Sequence, residues 1–201
     1  MLLSDAISYV RARLDEIAFN QDDMIGAEQD DRNLDTTVER LLPEAVKVVV
    51  LSAPAHLLEP DTIKTQVADN IAVIVIVEDF LRMVYMKATD SDIYVASAVP
   101  FNSPEARMQE NLYTMGTPDA PLVVQRPMRT YAVHLTYYTM LEAGSVDLAY
   151  IKTPKVEDGE IFCPSLLTEA VLNELTAQVL ETYNDQRAQL FHQKVTTFLA
   201  Q

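Results

Sequence analysis

The 201-residue chain holds four glycines, one cysteine and no tryptophan, and its 15 basic residues face 30 acidic ones. So few glycines leave no glycine-rich phosphate loop. Cys163 alone can make neither an intrachain disulfide nor a thiolate metal site, so a reducing compartment is expected. A formal charge of −15 and a pI near 4.4 repel polyanions, which argues against specific nucleic-acid binding. The longest apolar run, Ile71 to Val77, falls well short of the ~20 residues that cross a bilayer. The opening MLLSDAISYVRARLDE carries Asp5 and has no basic lead before an apolar core, so no secretory signal is expected there.

What is present is the balance of a globular protein, 49% apolar and 22% charged. A chain of this length is expected to form one domain with excursions. Leu3, Ile7, Val10, Leu14 and Ile17 line one face of a first helix, with Ser4 as its N-cap. The acid-rich NQDDMIGAEQDDRN (20–33) reads as an exposed loop. Thr36 and Glu39 have capping-box spacing, and Leu34, Val38, Leu41, Leu42, Ala45 and Val49 carry a second helix to about Ala53, with a kink or break at Pro43. At the other end, Cys163-Pro164-Ser165 opens a helix with a broad apolar face through Leu175 and Leu180 and a polar side at Glu174, Gln178 and Glu181. Asn184-Asp185 marks a joint before a last helix through Phe191 and Val195.

The middle is β-rich and holds seven of the ten prolines, all between 54 and 127. IAVIVIV (71–77) reads as a strand buried on both faces and LRMVYMKA (81–88) as a second strand. In NSPEARMQENLYTMGTPDAP (102–121), Ser103 before Pro104 predicts a capped helix start, and Gly116 a possible stop. PLVVQRP, RTYAVHLTYY (129–138) and VDLAYIKTP (146–154) follow as strands, with a hairpin connection expected at 142–145.

Chemistry is sparse. His56, His134 and His192 are far apart in sequence and lack a recognised ligand spacing, so no zinc site is predicted. Cys163 stands where a helix N-terminus lowers a thiol pKa, but a small buried or capping role explains it equally. The segment from Asp31 to Leu42 resembles a calcium loop and fails at its sixth position, Thr36, and its twelfth, Leu42. Glu78-Asp79 and Asp90-Ser91-Asp92 offer carboxylates for acid/base work, yet acids closing strands at turns are common. Arg126 and Arg129 flank Pro127 and could clamp an anion or bridge subunits. No catalytic, cofactor-binding or metal residue is assigned.

The order of segments says more than any motif. LLSDAISYVRARLDE, LDTTVERLLPEAVKVVVLSAPAHLLE, VIVIVEDFLRMVYMKATDSD, SPEARMQENLYTMGTPDAPLVV, VDLAYIKTP and CPSLLTEAVLNELTAQVLETYNDQRAQLF together resemble the head–tail connector (adaptor) ring proteins of tailed bacteriophages, especially those of crAss-like phages. The resembling pieces are Asp79 to Met83, Ser103 to Pro121, Tyr150-Ile151 and Leu180 to Thr182. The chain departs from that family in its long acidic loop and its lack of a tryptophan. The resemblance implies a virion structural protein at the head–tail junction, found in the host cytoplasm during assembly. It implies a ring of twelve copies that contacts the portal and other connector or tail proteins and passes DNA without binding it specifically. No cofactor, membrane or catalytic residue comes with it.

The fold class expected is α+β. Residues 1–54 and 164–201 would form a helical core within a single domain, with 60–125 holding β-rich arms and a short helix in small antiparallel sheets. The arginines singled out as subunit-interface candidates are Arg82, the one following Ala106 (Arg107), Arg126 and Arg129. Two other classes stay open: an acidic metal-dependent enzyme using the 78–92 carboxylates, and a cytoplasmic interaction adaptor with a small-molecule pocket in the β-rich middle.

Overall fold

A computed structural model describes residues 1–18, 30–76, 79–128, 132–141 and 144–200, with backbone alone for 15–18 and 30–33. The protein is α+β. The chain divides into two compact units, Met1–Leu58 with Pro154–Gln201, and Glu59–Thr153.

In the first unit, α1 (Leu3–Ala18) and α2 (Asp30–Ser52) pack with α4 (Thr168–Thr182), which pairs in turn with α5 (Ala188–Leu199). Val38, Leu42, Ala45, Val46, Val49 and Val50 of α2 are almost wholly buried, as are Val171, Leu175, Ala177 and Val179 of α4. Burying each larger side chain contributes roughly 1.5–3 kcal/mol, which is why helices of modest intrinsic propensity hold. The turn between α4 and α5 falls at Asn184, whose φ of 55° is the left-handed value asparagine tolerates, followed by an Asp185–Arg187 ion pair. A small ribbon, β9 (Val156–Glu157) and β10 (Glu160–Ile161), turns through Asp158 and Gly159 at φ 51° and 76°. The chain's first residues join it: Leu2 bridges Glu160, and Met1 and Ile161 exchange backbone hydrogen bonds at 2.9 and 3.0 Å.

The second unit is one eight-stranded curled sheet in the order β4-β3-β8-β1-β2-β7-β6-β5. Its strands are β1 (Asp61–Ala68), β2 (Ile71–Ile76), β3 (Phe80–Ala88), β4 (Tyr94–Val95), β5 (Val99–Pro100), β6 (Leu122–Pro127), β7 (Val133–Tyr138) and β8 (Ser145–Lys152), and the short helix α3 (Pro104–Met108) follows β5. Asp69 and Asn70, at φ 51° and 68°, form the two-residue turn that joins β1 to β2. β1 pairs with β2 only at Val67 and Ala68 and with β8 from Asp61 to Gln66, so the sheet turns a corner inside this strand. The fold back encloses a core of Met83, Met86, Val146, Leu148 and Tyr150 from one half and Ile74, Ile76, Val123, Leu135 and Tyr137 from the other. Tyr137 also hydrogen-bonds the backbone of Ala88 across it.

Several local expectations give way to tertiary context. The first helix begins at Leu3, so Ser4 lies in its first turn rather than capping it: the Leu2–Glu160 bridge sets the start. The second begins by Asp30, ahead of the Thr36–Glu39 box, and runs unbroken past Pro43 because its buried stripe outweighs the lost hydrogen bond. Of the acidic loop expected over 20–33, residues 20–29 lie outside the described residues, while 30–33 are not loop but the first turn of α2. β2 is not buried on both faces: Val73 and Val75 are 40% and 48% exposed while Ala72, Ile74 and Ile76 point inward. β7 and β8 do not pair as a hairpin, since the β1–β2 hairpin lies between them. Ser103 caps α3 as expected, its Oγ accepting from Ala106 N–H at 3.1 Å, but α3 ends at Met108 and Gly116 closes nothing helical.

Candidate interaction surface and a buried carboxylate

The excursion between β5 and β6 is built around one buried amide. Gln109, 6% exposed, donates from Nε2 to Glu105 O at 3.0 Å and accepts from Gly116 N–H at its Oε1 at 2.7 Å. Asn111 orders the tip: its Oδ1 accepts from Tyr113 N–H at 3.0 Å and its carbonyl from Thr114 and Met115 N–H at 2.9 Å. Gly116 packs against backbone, where a Cβ would meet Tyr138 O at 2.6 Å and Leu122 N at 2.9 Å. The loop thus held presents Phe101, Met108, Leu112 and Tyr113 to solvent at 45%, 55%, 61% and 97% exposure. Four large apolar side chains thus stand open to solvent on a backbone held by the Gln109 and Asn111 hydrogen bonds.

Three of the four candidate arginines fall among the described residues of this same unit. Arg126, exposed on β6, stacks over the Phe101 ring at 5.7 Å and sits opposite His134 on β7. Burial and then the Arg126 charge hold the His134 pKa below its usual value, as suits a half-buried sheet histidine. Arg107 is exposed in the last turn of α3. Arg82 is half-buried in β3, between two register shifts against β8. Arg129 and Glu78 lie outside the described residues.

The described carboxylates around β3 do not converge. Asp79 precedes the strand and Asp90 follows it, so nine strand residues, about 30 Å at ~3.3 Å each, separate them. Asp79 instead influences Tyr150 and Lys152, and Lys152 pairs with Asp61 at 3.2 Å. The calcium-like segment is helical, and its Asp35 takes both oxygens to Arg11 at 2.8 and 2.9 Å. Among the described residues no group of three or more His, Cys, Asp or Glu is placed to hold a metal ion.

One constellation escapes a linear search. Glu174, expected on the polar side of its helix, is buried; it accepts from Gln178 Nε2 at 3.0 Å and lies 2.9 Å from His192 Nδ1. The other ring nitrogen of His192 lies 3.0 Å from Glu181. Burial pulls the His192 pKa down, and the hydrogen bonds it makes to Glu181 and Glu174 raise it past its usual value. The only sequence signal was the Asn184-Asp185 joint: folding two helices back about it brings positions 181 and 192 side by side.

A scan against protein-family models gives no match, and no curated protein matches the chain.

Proposed function

We propose that this chain is a structural subunit of a head–tail connector ring, joining a portal to tail components in a virion and lining the DNA path. The observation that carries the reading is the 101–121 excursion, whose apolar side chains face solvent on a hydrogen-bonded base. Such an arm suits head-to-tail contact between copies, which closes into a ring when the rotation permits. The resemblance of its segment order to that of phage connectors supports the same class. The charge of −15 suits a wall that phosphate passes without counterion-release binding. The role needs no cofactor and no catalytic residue, and the exposed Arg107 and Arg126 are the interface candidates nearest the arm in sequence.

The test is assembly. Leu112→Ser with Tyr113→Ser changes only exposed side chains, so circular dichroism should stay that of the parent. Sedimentation velocity and negative-stain microscopy, on the chain alone and with a portal ring, should show loss of ring formation or portal attachment. Deleting residues 102–121 should have the same effect. Rings that assemble normally from either variant would remove the arm from the reading.

A further inference from the structure

The helical unit carries an open groove of about 480 Å³ between α2 and α4. Two stripes flank it, Leu41, Glu44 and Val48 on α2, and Glu174, Gln178 and Glu181 on α4. Steps of three and four put each set on a single helix face. Val48 is 41% exposed, and Leu51, three residues further along the same stripe, is 47% exposed. The core does not need them, because Val38, Leu42, Ala45, Val46, Val49 and Val50 already fill that side of α2. The charges around the groove are Glu44, Glu174 and Glu181 against Lys47, 3.5 Å from Glu44, and His192, which reaches Glu174 and Glu181. Glu44 and Glu181 stand at the rims with more than half of their side-chain surface open.

We infer that this groove seats an amphipathic helix of another protein, with apolar side chains over Leu41 and Val48 and lysine or arginine against Glu44 and Glu181. Charge complementarity chooses the occupant. The chain's own arm sets Arg107 against Glu105, Glu110 and Asp119, a net −2 that an acidic rim repels, so the arm of neither this copy nor a second one suits the groove. The stripe from Leu41 to Leu51 spans about 15 Å at ~1.5 Å per residue, nearly three turns of a guest helix. The inference stands apart from the ring reading, since a monomer can offer the same groove.

The full chain is titrated against three fluorescein-labelled synthetic peptides of about 15 residues at ~150 mM salt. One carries a leucine stripe flanked by lysines, one replaces the lysines by glutamates, and one scrambles the first so that no face is apolar. Fluorescence anisotropy should show the first binding about tenfold tighter than the scrambled peptide, and the glutamate peptide weakest. Val48→Asp, and separately Glu44→Lys with Glu181→Lys, should each weaken the first about tenfold or more, while Asp119→Lys on the sheet unit leaves it unchanged. Circular dichroism checks that each variant folds. The inference is overturned by equal binding of lysine and scrambled peptides, by equal binding of lysine and glutamate peptides, or by folded groove variants that bind like the parent. It is overturned equally if Val48→Asp lowers the sedimenting mass of the chain alone, which would assign the groove to a second copy.

Discussion

Glu174 and His192 fasten α5 to α4 through a geometry that depends on a proton. A neutral imidazole has one N–H, yet both nitrogens of His192 face carboxylates, so only the imidazolium donates to Glu174 and Glu181 together. The folded pKa therefore lies above the unfolded value of about 6.5. Stabilisation from this histidine is complete below that unfolded value and is lost as pH rises through the raised folded one. The melting temperature of the parent should exceed that of His192→Gln most near pH 6, and the gap should narrow toward pH 9. A gap that stays constant with pH would show that the ring packs rather than carries charge. Gly116 is constrained differently, by backbone atoms that cannot give way. Gly116→Ala should cost roughly 1–3 kcal/mol of unfolding free energy in urea titration. A neutral effect there would mean that the 116–122 backbone shifts freely, against the close packing described.

Among the elements, α2 is the one whose sequence argues with itself. Pro43 sits inside a 23-residue helix and withholds a hydrogen bond, while the valine-rich stripe around it is buried. Pro43→Ala should restore the bond at a gain of up to ~3 kcal/mol, less about 1 kcal/mol for the freer unfolded chain. A net rise in the urea midpoint is expected; a fall would mean that the proline ring or a bend at that point is needed. The same helix shows what was legible. Its stripe was readable because i, i+3 and i+4 spacing is local, as was the Ser103-Pro104 start of α3. Its beginning was not, because Thr36-Glu39 satisfies a capping pattern that helix continuation overrides. The strands are legible for the same local reason, and their partners are not, because pairing is set by residues far away in the chain. Nothing near 142–145 reveals that β1 and β2, some seventy residues upstream, lie between β7 and β8. The alternate exposure of Val73 and Val75 is likewise invisible in an all-apolar run. Glu174 looked solvated because its partner His192 belongs to the next helix.

For the whole molecule, charge and surface pull in opposite directions. Each copy carries −15, so copies brought together repel over a screening length of about 10 Å at ~0.1 M salt and ~3 Å at ~1 M. The arm that we assign to subunit contact presents mainly apolar groups, Met108, Leu112 and Tyr113, whose association does not weaken as salt screens charge. If these contacts drive assembly, raising sodium chloride from about 50 mM to about 500 mM should strengthen it, because only the repulsive part is screened. Sedimentation velocity across that range reads the result directly. Larger species should grow with salt in the parent and stay absent in the variant carrying serine in place of both Leu112 and Tyr113. Assembly that dissolves as salt rises would point to ion pairs instead, with Arg107 and Arg126 the first to replace by glutamine, and would move the subunit contact away from the apolar tip of the arm.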